Sequence, residues 1–124
     1  MQTDLDKYHE LELEGYHYDG DSLVATVWEL VVGEGHRVIR GSAHYRVTFP
    51  MPVAHIVIEE LPVAVAGLVH GNDTGFLRVI ENTALTSALG LNGEPFEALR
   101  SYALISAHEV LVVYCYDEPK VERA

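Results

Sequence analysis

Cysteine, cationic side chains and long apolar runs are all scarce in this 124-residue chain. The lone Cys115 cannot close a disulfide within the chain, so packing must hold the fold, and a reducing compartment is the simplest expectation. No apolar run approaches the roughly 18 residues of a membrane-spanning helix. The longest candidate, 61–69, holds Pro62 and Gly67, so no membrane span is expected. Residues 1–7 lack the basic region and apolar core of a signal peptide, and the expected location is the cytoplasm. Eight Lys and Arg stand against nineteen Asp and Glu, a net charge of −11. Phosphate binding needs a cationic surface, so this balance argues against nucleic acid as a direct ligand.

What is present is a core and an uneven charge. At 48% hydrophobic, the chain can bury enough apolar surface to fold as one domain over 1–124. Residues 1–34 carry nine acids and only Lys7, a local charge of −8, and the rest of the chain carries the remaining −3. An acidic surface of this kind suits solubility, a basic partner or imitation of nucleic acid.

The first half reads as strands. Residues 8–18 alternate through Glu10, Leu11, Glu12, Leu13 and Glu14, then meet Asp19-Gly20, a two-residue hairpin signal. Residues 22–32 are apolar on both faces, as a central strand would be. Gly33-Glu34-Gly35 makes a second reversal, and 37–49 alternates again until Pro50 and Pro52 close it. Residues 53–60 read as a fourth strand of the same meander. In the second half, 61–69 fits strand or helix, and 70–73 reads as a loop whose Asp73 or Thr74 caps a helix. That helix takes Phe76, Val79, Ile80, Ala84, Ala88 and Leu91 on one face. A second helix starts at Pro95 with Phe96, Leu99, Tyr102 and Ala103 as its stripe, and 108–116 reads as a final buried strand. The expected class is α+β: a curved antiparallel β-sheet, made of a four-stranded N-terminal meander plus a C-terminal strand, packed against one or two helices.

Alternation puts Arg40, Ser42, His44, Arg46 and Thr48 on one face of the third strand. Folding 22–32 back about Glu34 places Trp28 near Arg40 and Val24 near His44. A bulge at Gly15 would bring Glu10, Glu12 and Glu14 onto the same polar face, with Trp28 between acids and arginines. Glu29 is the odd residue, because Val27 and Val31 two positions away belong to the core face. A carboxylate there needs an internal partner or shifts its pKa, which is how an acid–base group is often made. The seven histidines show no metal-ligand spacing, although His44 and His55 could meet across the proline turn. No metal and no cofactor is expected, and no G-x-S-x-G nucleophile context occurs.

Two readings of function stand. In the first, the chain is a small acidic interaction module presenting Glu10, Glu12, Glu14, Asp19 and Asp21 to a basic protein partner. In the second, Trp28, Glu29, Arg40, His44 and Arg46 serve a small-molecule or enzymatic site in a pocket between sheet and helices. Assembly into a homo-oligomer through exposed strand edges is compatible with either.

Overall fold

Asp19-Gly20 turns the chain back on itself, with Gly20 in the left-handed region at φ 62°. The flanking runs pair as β1 (Leu11–Asp19) and β2 (Ser22–Val32) in the computed structural model, which describes residues 1–59 and 75–124. A 3-10 turn at Glu34–His36 then leads into β3 (Val38–Pro50), antiparallel to β2. Ahead of them, a 3-10 turn at Asp4–Lys7 is closed by a capping box between Thr3 and Asp6, and its Leu5 is fully buried.

Among the described residues the strands form two four-stranded antiparallel sheets, where the sequence led us to expect a single curved sheet. A strand does form at β4 (Ala54–Glu59), but it does not extend the meander. Two prolines flank Met51, which sits at φ 43°, and neither can donate to a ladder. The chain therefore leaves β3 and enters a second sheet of order β4–β7–β6–β5. Its members are β5 (Leu77–Ile80), β6 (Arg100–Ile105) and β7 (Glu109–Cys115). The first sheet is completed by β8 (Lys120–Arg123), in the order β1–β2–β3–β8.

The expected helices are corrected in the same region. Phe76, Val79 and Ile80 belong to β5 or its entry, and the helix over the second half shrinks to α1 (Thr83–Ala88). Its cap is Asn82, whose side chain accepts from the Leu85 amide at 2.9 Å. Tyr102 and Ala103 lie in β6 and not on a helix. The reason is burial on both faces: Tyr102 and Leu104 face the first sheet, while Ala103 packs in the cluster on the far side. A strand covered on both sides loses its period of two and imitates a helical stripe. The readings of 61–69 and 70–73 lie outside the described residues.

The inner faces supply the core. Leu11, Leu13, Leu23, Val27, Tyr45, Val47 and Phe49 meet Leu77, Tyr102, Leu104, Leu111 and Val113, all buried. Each large aliphatic side chain so enclosed contributes about 1.5–3 kcal/mol. The outer face of the second sheet is also covered: Leu85, Phe96 and Leu99 pack over Ile80, Ala103, Val110, Val112 and Tyr114. Among the described residues no helix is long and apolar enough to cross a membrane.

Candidate functional site

The outer face of β1–β2–β3–β8 carries most of the polar residues singled out from the sequence. Its rows follow the register. Glu12 lies opposite Trp28 and Trp28 opposite His44; one row on, Thr26 is opposite Arg46 and Arg46 opposite Glu122. The expected pairs differ: Trp28 faces His44 instead of Arg40, and Val24 faces Thr48 instead of His44. Two features shift the register. The reversal spans the residues between Val32 and Val38, wider than a tight turn at Glu34, and an irregularity between Trp28 and Leu30 opposes Glu29 to three residues of β3.

Arg40 nevertheless reaches Trp28, lying 5.3 Å from the ring centroid. Its Nε donates to Glu12 Oε1 at 2.5 Å and its second nitrogen to Glu14 Oε1 at 3.3 Å. A bulge between Leu13 and Gly15 turns Glu14 toward the same face. This clasp raises the Arg40 pKa, chiefly through the hydrogen bond to Glu12. Arg40 keeps 43% of its side chain exposed, so solvent screens the pair and it adds little to stability. Against the indole, His44 stacks at 4.2 Å and 17° between planes. The Trp28 Nε1 atom is buried and has no hydrogen-bond partner.

Glu29 has the internal partner that its position called for. Its Oε1 accepts from the backbone amides of Ser42 at 2.9 Å and Ala43 at 3.1 Å. These two consecutive donors belong to the bulged stretch of β3 and find their acceptor in a side chain. Gly41 makes room: a Cβ there would run into the Glu29 carboxylate. The odd carboxylate on a core-facing position was the signal, and its partners are amides of the neighbouring strand.

The five carboxylates of the acidic hairpin are not equivalent. Glu12 and Glu14 are engaged with Arg40. Glu10, just before β1, and Asp19 and Asp21, at the turn, are exposed. Strand rise separates the two ends by roughly 20 Å or more. Arg46, with His17, Asp19, Thr48 and Glu122, lines a shallow hollow of about 290 Å³ near the turn. Lys120 donates to Glu122 at 2.9 Å and lowers its pKa by that hydrogen bond, with a smaller electrostatic contribution from Arg46.

Trp28, Arg40, His44 and Arg46 point away from the inter-sheet core, and Glu29 is turned onto β3. Larger hollows of about 570 and 500 Å³ open elsewhere, the first beside Asp6, Phe76 and Arg78, the second beside Asn82, Thr86 and Arg100. None of the five residues proposed for a small-molecule site lines either one. His44 and His55 do not meet. His55 instead joins Tyr16 and Tyr18 where β1 and β4 come together, its Nδ1 3.0 Å from the Tyr18 hydroxyl. Among the described residues no group of three His, Cys, Asp or Glu side chains is arranged to hold a metal ion. No family model, curated protein or solved structure matches this chain.

Proposed function

We propose that the protein is a non-catalytic interaction module whose acidic β1–β2 hairpin receives a basic protein partner. The observation that carries this reading is the division of the hairpin's carboxylates. Glu12 and Glu14 are satisfied within the molecule, while Glu10, Asp19 and Asp21 stand exposed and form no ion pair among the described residues. Exposed carboxylates on a rigid two-stranded scaffold steer a cationic partner and set its orientation. The outer face next to them is not covered by any described element, whereas the second sheet's outer face is packed under Leu85, Phe96 and Leu99. The cytoplasm is the compartment this reading assumes, where the lone thiol stays reduced.

The test is a labelled Lys/Arg-rich peptide followed by fluorescence anisotropy across a salt series. The Glu10→Gln, Asp19→Asn, Asp21→Asn triple variant is expected to weaken binding several-fold and to flatten its salt dependence. A control triple, Glu94→Gln, Glu97→Gln and Glu118→Gln, removes the same charge from exposed positions elsewhere and should change little. Equal losses in the two triples would mean that total charge, and not the hairpin, attracts the peptide. That result would overturn the reading.

A further inference from the structure

The chain has more than two acids for each base, yet among the described residues only Arg40 and Lys120 pair with a carboxylate, and two of the other cations, Lys7 and Arg123, meet where donors accumulate. Arg40 takes Glu12 and Glu14, Lys120 takes Glu122, and Arg78 and Arg100 donate to backbone carbonyls. Lys7 and Arg123 have no such acceptor among the described residues. They converge from different elements on a pair of phenols at the side of the sandwich flanked by β8.

Tyr45 is fully buried on β3, and its hydroxyl lies 2.8 Å from that of Tyr8. The rings meet edge to face at 5.8 Å. Lys7 Nζ stands 5.4 Å from the Tyr8 ring centroid. Arg123 is the cross-strand neighbour of Tyr45, and its charge reaches the Tyr8 phenol. The Lys7 pKa is raised, first by hydrogen bonding with Tyr45. Two phenols carry two hydroxyl protons, and their mutual bond uses one. With Tyr45 donating to Tyr8, the Tyr8 proton is left to donate outward, beside the Arg123 guanidinium and a Lys7 ammonium that spends only part of its three donors on the phenols. Such a chain of polarised donors lacks only an acceptor at its end.

We propose that Lys7, Arg123, Tyr8 and Tyr45 form a binding site for an oxyanion, the carboxylate or phosphate group of a small ligand. The two cations supply the charge, and the phenol pair fixes the orientation with a directed O–H donor. The buried Tyr45 holds Tyr8 in place, so the site is anchored to the core while its cationic rim stays open to solvent. It borders the acidic surface at Glu10, two residues from Tyr8, but has the opposite sign and shares no residue with it, so the two readings are tested by different variants.

The experiment is an NMR titration of the full chain with sodium phosphate and, separately, sodium acetate, with sodium chloride holding ionic strength constant. The expected result is a saturable shift centred on the Tyr8, Tyr45 and Arg123 resonances. Lys7→Met and Arg123→Met should each weaken it by about tenfold, as expected for loss of one charge-assisted contact. Both residues are exposed, so the variants should fold as the parent does. Tyr8→Phe should weaken binding less while leaving both cations in place. Saturation by phosphate alone assigns a phosphorylated ligand, and saturation by acetate assigns a carboxylate. The proposal is overturned if neither anion saturates, or if the shifts survive unchanged in the Lys7 and Arg123 variants.

Discussion

The contact between Glu29 and the bulge in β3 can be tested by a cycle of two substitutions. Glu29→Ala removes the acceptor of the Ser42 and Ala43 amides. Ser42 is exposed and its amide can turn to water, so that bond counts for little, about 0.5 kcal/mol. Ala43 is buried at 3% exposure, and stranding its amide costs about 1–3 kcal/mol. The sum is about 1.5–3.5 kcal/mol, a fall in Tm of about 6–14 °C for a chain of this length. Glu29→Gln keeps an oxygen in place without the charge and should cost about half as much.

Gly41→Ala approaches the same contact from the other strand. Gly41 is not among the residues at positive φ, so alanine meets no backbone penalty there. In an open strand position that change would stabilise by about 0.5–1 kcal/mol through the unfolded state. Here the new Cβ collides with the Glu29 carboxylate and must expel it, so the single variant should lose about as much as Glu29→Ala. In the double variant the carboxylate is already gone and the Cβ finds space. Its cost should be no greater than that of Glu29→Ala alone, a coupling of about 2 kcal/mol. Urea unfolding of the four proteins, with unchanged slopes, measures all of this. Additive losses, or a Gly41→Ala variant more stable than the parent, would refute the reasoning.

Cys115 is buried, donates its thiol to the Asp117 carbonyl at 3.3 Å, and has its pKa pushed up to about 11, first by burial and then by Asp117. Alkylation at pH 8 should therefore proceed only as fast as the protein opens, and labelling at the rate of a free thiol would refute this burial. The folded thiol binds its proton more tightly than the unfolded one, so stability is intact below about pH 9 and falls by about 2–3 kcal/mol through pH 11. Cys115→Ala should lack that part of the decline in the same denaturation series. Replacing Glu12 and Glu14 together by Gln should lower stability only slightly, a difference that added salt erases; a large, salt-independent loss would show that the clasp on Arg40 is more than a surface ion pair. Removing the stacked ring by His44→Ala opens one face of Trp28 to water, and the emission of this sole tryptophan should shift to the red; unchanged emission would place the indole elsewhere.

How much could be read in advance depended on how local the determinant was. The β1–β2 turn, the entry to β3 and the buried strand β7 were legible because Asp19-Gly20, the glycines around Glu34 and the run from Val110 each act over a few residues. Register was not. The bulge at Gly15 was anticipated, but the irregularity at Glu29 shifts every partner between β2 and β3 beyond it, and nothing in a single strand's pattern counts the residues its neighbour will bulge out. β6 was read as helix because both of its faces are buried. β8 escaped notice because Lys120–Arg123 is mostly polar, and only its pairing with β3 makes it a strand. Trp28, Arg40 and His44 were rightly placed on one face, since parity survives an even shift, although their opposite numbers changed.

The charge pattern yields to the same distinction between count and place. By count, every cation in a chain of −11 should be saturated with carboxylates. By place, Arg40 is saturated twice over, because two bulges turn Glu14 toward it and carry it back across Trp28 to meet Glu12. Lys7 and Arg123 go without, because the side chains that meet them at the β8 flank are phenols and aliphatics drawn from core-facing positions. Long-range attraction at physiological salt decays over about 8 Å and cannot repair that arrangement. Backbone register therefore decides which charges are spent inside the molecule. Those left over, acidic along the hairpin and basic around the Tyr8–Tyr45 pair, are the ones a partner or ligand can use. A salt series separates them. Steering by Glu10, Asp19 and Asp21 should fade as screening rises. An oxyanion held directly by Lys7, Arg123 and Tyr8 should retain more of its affinity, since its contacts are short and one is a directed hydrogen bond.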